Sequence, residues 1–184
     1  MGERFWLVRH ASTAWTGRRW CGSTDLPLSA AGRREASTLA RAIADWTVPA
    51  DGIWSSPSRR ALQTARAIAL ATGLEVRVDD ALREVDFGRA EGLTWAEISA
   101  TLPELAECIA TRSPFVDWPG GETSDELRVR SRRVRERLAA EPGSLIVLTH
   151  GGIARAILEL TDATRTDLAL VPTEIIEVRW EVTT

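Results

Sequence analysis

The chain contains only two histidines, and each follows a short apolar run. Phe5-Trp6-Leu7-Val8 leads into Arg9-His10, and Leu145-Ile146-Val147-Leu148 leads into Thr149-His150. Apolar runs this short, bounded by polar residues, read as buried strands. Open α/β sheets place their ligands outside the carboxyl ends of their strands. Two such ends, each presenting an imidazole, are expected to share one pocket.

The rest of the chain alternates in the same manner. The strand Arg4 to Arg9 is followed by a loop, Ser12 to Leu28, that suits the rim of a site. Ser29 is an N-cap for a helix over Ala30 to Trp46, whose apolar period runs through Ala36, Leu39, Ala40, Ile43 and Ala44. Gly32 is expected to weaken its first turn. Val48-Pro49-Ala50 connects to a second strand, Asp51 to Ser55. Ser56-Pro57-Ser58 opens a helix over Arg59 to Thr72, closed by Gly73. Leu74 to Val78 reads as a third strand with its apolar residues facing inward. Asp79 to Leu93 is a polar loop. Thr94 caps a helix to about Leu102, Pro103 starts another to Ala110, and Ser113 to Gly121 is a turn-rich loop. Thr123 or Ser124 caps an arginine-rich helix to Ala140 with an apolar stripe at Leu127, Val134 and Leu138. The strand Leu145 to Thr149 leads into a helix from Gly152 to Leu160. Leu168 to Val171 fits no single pattern, and Glu174 to Val182 alternates as a last strand. Alternating strands and helices predict a mostly parallel sheet with helices on both faces. That is a three-layer α/β/α sandwich, in one domain over residues 1–184 with a short helical cap at about 94–122.

Composition narrows the partners. With 184 residues, 44% hydrophobic and 27% charged, the chain has the make-up of a soluble globular protein. No apolar stretch is long enough to span a bilayer, and Met1-Gly2-Glu3-Arg4 carries no signal-peptide pattern. A net charge of −3 gives no basis for nucleic-acid binding. Cys21 and Cys108 lack metal or redox spacing and suit free thiols in the cytoplasm. All basic side chains are arginine. Any phosphate must therefore be held by guanidinium groups, which can grip two oxygens at once.

A phosphate monoester fits this inventory. It needs fixed positive charge, an in-line nucleophile and an acid for the leaving oxygen. A neutral imidazole is a competent nucleophile near pH 7, and attack is assigned to His10. Arg9 and one of Arg59 and Arg60 would hold the phosphoryl oxygens. His150 would be a further donor, more useful when protonated beside a dianion. The amide of Gly151, at a helix start, would add another. Glu84 would protonate the leaving group and then activate water. Arg59, Arg66 and the run Arg128 to Arg137 read as solvated. Trp15, Trp20 and Trp118 fall in loops near the site. Trp6, Trp54 and Trp180 read as core.

Arg9-His10-Ala11-Ser12-Thr13 resembles the Arg-His-Gly signature of the histidine phosphatase superfamily, the phosphoglycerate mutase-like proteins. Four further segments are similar in the same order. They are Gly22 to Ser29 with Gly32, Ser55 to Ala65, Leu82-Arg83-Glu84 with Gly88 and Glu91-Gly92, and Pro119 to Glu122 with Thr149 to Arg155. The resemblance selects Arg60 over Arg59, since the family's arginine directly precedes alanine. It implies a phosphoglycerate mutase-like fold, a phosphohistidine intermediate and no metal or other cofactor. It also places Thr16, Gly22, Ser23 and Gly151 against the substrate. Ala11 departs from the family's glycine and Thr16 from its frequent asparagine. The implied partner is a small phosphorylated metabolite, with no nucleic acid or membrane, and a homodimer is compatible. Family mutases for phosphoglycerate are longer, with more chain to close the site, so hydrolysis is favoured here. The apolar loop Ser113 to Trp118 then suggests tolerance of nonpolar or aromatic leaving groups. Phosphoglycerate mutase, α-ribazole phosphatase and a non-catalytic phosphate-binding module are the alternatives.

Overall fold

The computed structural model describes residues 4–46, 50–161 and 170–179. The expected connector at Val48-Pro49, the beginning of the 168–171 stretch, Trp180 and the end of the last strand lie outside the described residues. Strand β1 (Arg4–Arg9) leads to helix α1 (Ala30–Ala44), β2 (Gly52–Ser55), α2 (Arg59–Thr72) and β3 (Val76–Val78). After an irregular stretch come α3 (Trp95–Thr101), α4 (Pro103–Ala110), α5 (Ser124–Ala140), β4 (Leu145–Thr149), α6 (Gly151–Glu159) and β5 (Ile175–Arg179). The sheet runs β3-β2-β4-β1-β5, parallel except for β5, which pairs antiparallel with β1.

Alternation along the strands separates two cores. Trp6, Val8, Ile53, Ile146 and Leu148 face α1 and α2. Phe5, Leu7, Trp54, Leu145 and Val147 face the side covered by α5, α6 and the 82–118 stretch. The mixed α/β, three-layer reading therefore stands. Helix starts are set by local chemistry. The Ser29 hydroxyl accepts from the Gly32 amide, and Thr94 and Thr123 each form a capping box with the glutamate three residues on. Such caps stabilise a helix by about 1 kcal/mol each.

Two local expectations gain a physical explanation, and the second is partly overturned. At Gly32 a Cβ would collide with the Ser12 carbonyl, so the glycine also lets the helix press on the chain just past His10. The third strand is shorter than expected; Leu74, just before it, and Val76 pack against the α1/α2 core as expected, but Val78 does not turn inward. The strand is the sheet edge, paired to β2 alone, and Val78 is 56% exposed.

Candidate active site

β1 and β4 are adjacent and parallel, with Arg9 opposite Thr149. The next residue on each is a histidine, so register alone brings His10 and His150 together, ring centroids 5.0 Å apart. The His10 amide donates to the Thr149 carbonyl at 3.0 Å, which joins the two strand ends. Arg60, in the first turn of α2, enters from the neighbouring β2 end and is 1% exposed. Glu84 arrives on the irregular stretch after β3. Arg9, His10, Thr16, Arg60, Glu84 and Gly151 all line one cleft of about 370 Å³. His150 lies beneath it, fully buried.

Hydrogen bonds fix the state of each ring. His10 Nδ1 lies 2.7 Å from the Ala11 carbonyl, which can only accept. Nδ1 therefore carries the proton and Nε2 keeps its lone pair, the arrangement a nucleophile needs. Burial first, and the Arg60 and Arg9 charges second, push the His10 pKa down to about 3 against the pull of the Ala11 carbonyl. The ring is neutral throughout the physiological range. His150 Nδ1 accepts from Arg60 Nε at 3.2 Å, so its proton sits on Nε2, 2.8 Å from Ser56 Oγ. Burial, the His10 ring and the nearby arginines hold its pKa well below the ordinary value. The expectation of protonation concerns the ring beside a bound dianion; the hydrogen bonds here describe the ring on its own. His150 is neutral, both ring nitrogens are engaged, and it braces Arg60 from behind.

Arg60 spends several donors on one loop. Nη1 donates to the Thr24 carbonyl at 2.8 Å, and Nη2 donates to the carbonyls of Gly22 at 3.0 Å and Cys21 at 3.2 Å. The same loop turns its amides the other way, to Glu91: Gly22 and Thr24 donate at 2.8 and 3.0 Å and Ser23 at 3.3 Å. Gly22 and Ser23, expected against the substrate, are thus not among the residues lining the cleft. They form a bridge between Glu91 and Arg60. Arg9 donates through Nη1 to the Leu170 carbonyl, and its Nε is a buried donor without a hydrogen-bond partner. Burial lowers its pKa, partly offset by Glu84.

Glu84 is held by the start of α6. Its Oε1 accepts from the amides of Gly152, at 3.0 Å, and Ile153, at 3.2 Å, besides that of Val85. Helix N-termini favour such a carboxylate. A Cβ on Gly152 would lie 2.6 Å from Glu84 Oε1, so glycine is what admits the acid there. Ala11 causes no obstruction: its methyl is buried with Leu28 and Ala36, away from the cleft. The Thr16 hydroxyl accepts from the Thr13 amide at 2.9 Å and lies 3.3 Å from the Thr13 hydroxyl.

Beyond these groups the cleft turns apolar. Trp20, Phe87 and Trp118 pack with ring centroids 4.6 to 5.1 Å apart, Phe87 edge to face with each tryptophan and the two tryptophans tilted. Trp15, Trp95, Ile109, Pro114 and Val116 extend this wall, and Arg18, Arg19 and Arg155 also line the cleft. Trp95 was not among the expected residues; its place in the first turn after the Thr94 cap is the signal that could have found it. Among the described residues no cluster of three His, Cys, Asp or Glu side chains could hold a metal ion, and no helix is long and apolar enough to cross a membrane.

A family model described as histidine phosphatase superfamily (branch 1) matches residues 5–181. The chain belongs to the histidine phosphatase superfamily. It is 34% identical to phosphoglycerate mutase-like protein 4 of Arabidopsis thaliana, over 83% of this chain and 68% of that protein. It is 35% identical to glucosyl-3-phosphoglycerate phosphatase of Mycobacterium tuberculosis, over 84% of this chain and 73% of that protein. The native structure of mycobacterial glucosyl-3-phosphoglycerate phosphatase superposes with a TM-score of 0.81 at 31% identity, covering 96% of this chain and 90% of the other. Membership of this superfamily agrees with both the layered fold and the paired histidines.

Proposed function

We propose that this histidine phosphatase hydrolyses small phosphomonoesters through a phosphohistidine on His10. The observation that carries the reading is the neutral His10 ring, its Nδ1 proton tied to Ala11 and its neighbours Arg9 and Arg60 lining the same cleft. In the first step a bond forms between Nε2 and phosphorus while the bond to the leaving oxygen breaks. Glu84 gives its proton to that oxygen. In the second step water attacks the phosphorus, the N–P bond breaks, and Glu84 takes the water's proton. Arg9 and Arg60 hold the phosphoryl oxygens, joined by the Thr16 hydroxyl and the Gly151 amide. A bound dianion also offsets the mutual repulsion of the cations around the two rings.

The cleft wall supports a leaving group that is apolar or aromatic. Residues 94–122 act as a short cap over it, with Trp95, Ile109, Val116 and Trp118 as its inner face. Two relatives named as phosphatases agree with hydrolysis: glucosyl-3-phosphoglycerate phosphatase and a metal-independent phosphoserine phosphatase of Arabidopsis thaliana. The free thiols Cys21 and Cys108 suit a cytoplasmic setting.

The test is turnover of p-nitrophenyl phosphate in chelator, with acid quench to trap phosphoenzyme. His10→Ala is expected to lose at least about 1,000-fold in kcat and all trapped phosphate. Undiminished turnover by that variant overturns the proposal. Interconversion of phosphoglycerate isomers faster than phosphate release makes the chain a mutase instead.

A further inference from the structure

Helix α5 carries six arginines between 128 and 137, and their spacing hides one that does not belong to a solvated face. The buried stripe of α5 is Leu127, Ser131, Val134 and Leu138. Arg130 lies three residues after Leu127 and four before Val134, on that stripe. A charged side chain at a core-facing position must find partners or lose free energy, and Arg130 has four contacts. Its Nε and Nη2 form a bidentate pair with Glu122 at 2.7 and 2.6 Å. Its Nη1 donates to the carbonyls of Ala81 and Arg83, each at 2.8 Å.

Those two carbonyls bracket Leu82, whose own carbonyl accepts from Thr149 Oγ1 at 2.9 Å. Three successive carbonyls immediately before Glu84 are therefore pinned, two by Arg130 and one by the end of β4. Glu122 is itself locked to the same stretch, its amide donating to the Asp86 carbonyl at 3.0 Å. The glycines around it serve that approach: a Cβ on Gly121 would collide with the Asp86 carbonyl, and one on Gly88 with the Gly121 amide. Glu84 lines the catalytic cleft on one side and, on the other, the hollow that Arg130, Glu122 and Arg133 line.

We infer that Arg130, clamped by Glu122, is a positioning residue that sets the location of the Glu84 carboxyl relative to the leaving oxygen. The inference rests on the acid role proposed for Glu84. A lysine cannot replace Arg130, because a single ammonium cannot serve a bidentate carboxylate and two carbonyls together.

The experiment is a series of aryl phosphates of graded leaving-group pKa, reading the slope of log kcat/KM against that pKa. A misplaced acid hurts poor leaving groups most, since they most need protonation. Glu84→Gln is the reference and is expected to steepen the slope. Arg130→Met is expected to steepen it too, losing about 100-fold on the poorest leaving group and under about 3-fold on nitrophenol. Glu122→Gln, which keeps the shape and removes the charge, is expected to steepen it by a smaller amount and covers the case in which Arg130→Met does not fold. Arg133→Ala, on the same hollow, is expected to leave the slope unchanged. If Glu84→Gln steepens the slope while Arg130→Met and Glu122→Gln lower all substrates equally, or none, the positioning role is overturned. If Glu84→Gln itself leaves the slope unchanged, the acid role falls and the inference falls with it.

Discussion

The two halves of the site are built in different ways. The floor, His10 over His150, is a product of strand register: adjacent parallel strands end together, and each ends in a ring. Burial does the rest, keeping both imidazoles neutral. The acid side has no such regularity. Glu84 sits on irregular chain after the edge strand, and separate hydrogen bonds from α5, α6 and β4 hold it in place. A floor made by the sheet can fail only if the sheet fails. A wall made by clamps can fail one clamp at a time, with the fold intact.

That contrast can be broken most strongly at Arg60, a cation that ties the floor to the rim. Arg60→Lys removes the fork that reaches Cys21, Gly22 and Thr24 while bracing His150. The expected loss in kcat/KM is about 100- to 1,000-fold, the range seen when one transition-state donor is lost. Melting temperature should fall as well, because the Cys21, Gly22 and Thr24 carbonyls lose their donors. A variant within about 3-fold of wild type in steady-state assay removes Arg60 from the phosphate site.

The clamp side is sharpened by Gly152→Ala. The added methyl meets the Glu84 carboxylate at 2.6 Å and the Val85 side chain at 2.8 Å. A carboxylate can swing aside, so the stability cost is about 1–2 kcal/mol. The acid, however, leaves the α6 amides. An activity loss of about 10- to 100-fold on alkyl phosphates is expected, with less on nitrophenyl phosphate. Crystals of the variant with Glu84 still on the Ile153 amide and full activity would contradict it.

The same contrast explains what could be read in advance. The floor was legible because apolar runs, caps and a histidine at each strand end are local patterns. Ser29, Thr94, Thr123 and Gly73 each cap where expected. The clamps were not legible because each joins residues far apart in the chain. Glu91 meets the amides of 22–24, sixty-seven or more residues away, and nothing near Glu91 announces them. Arg130 did leave a trace, a charge interrupting the apolar stripe of α5, but six arginines in one helix masked it. The state of His150 was also out of reach, since it depends on Arg60 Nε and Ser56 arriving from a different strand end. Trp118 was placed at the site by its loop, but its packing against Trp20 and Phe87 needed the fold.

The smallest expected effect tests the floor through its protons. Both rings are neutral in the folded chain, with the pKa of His10 lowered to about 3 and that of His150 also depressed. In the unfolded chain each titrates near ~6.5. Below that pH the unfolded state binds protons that the folded state refuses, so stability is full above about pH 6.5 and falls as pH drops. Each ring that stays neutral contributes a slope of about 1.4 kcal/mol per pH unit. Carboxylates begin to contribute only nearer ~4.3, so the window from pH 6.5 to 5 isolates the imidazoles. Urea unfolding across that window should show the slope of two groups, and His10→Asn should remove one of them while the other remains. Stability that is flat from pH 6.5 to 5 would mean that both rings accept protons without unfolding. The neutral nucleophile, and with it the geometric reading of the floor, would then have to be abandoned.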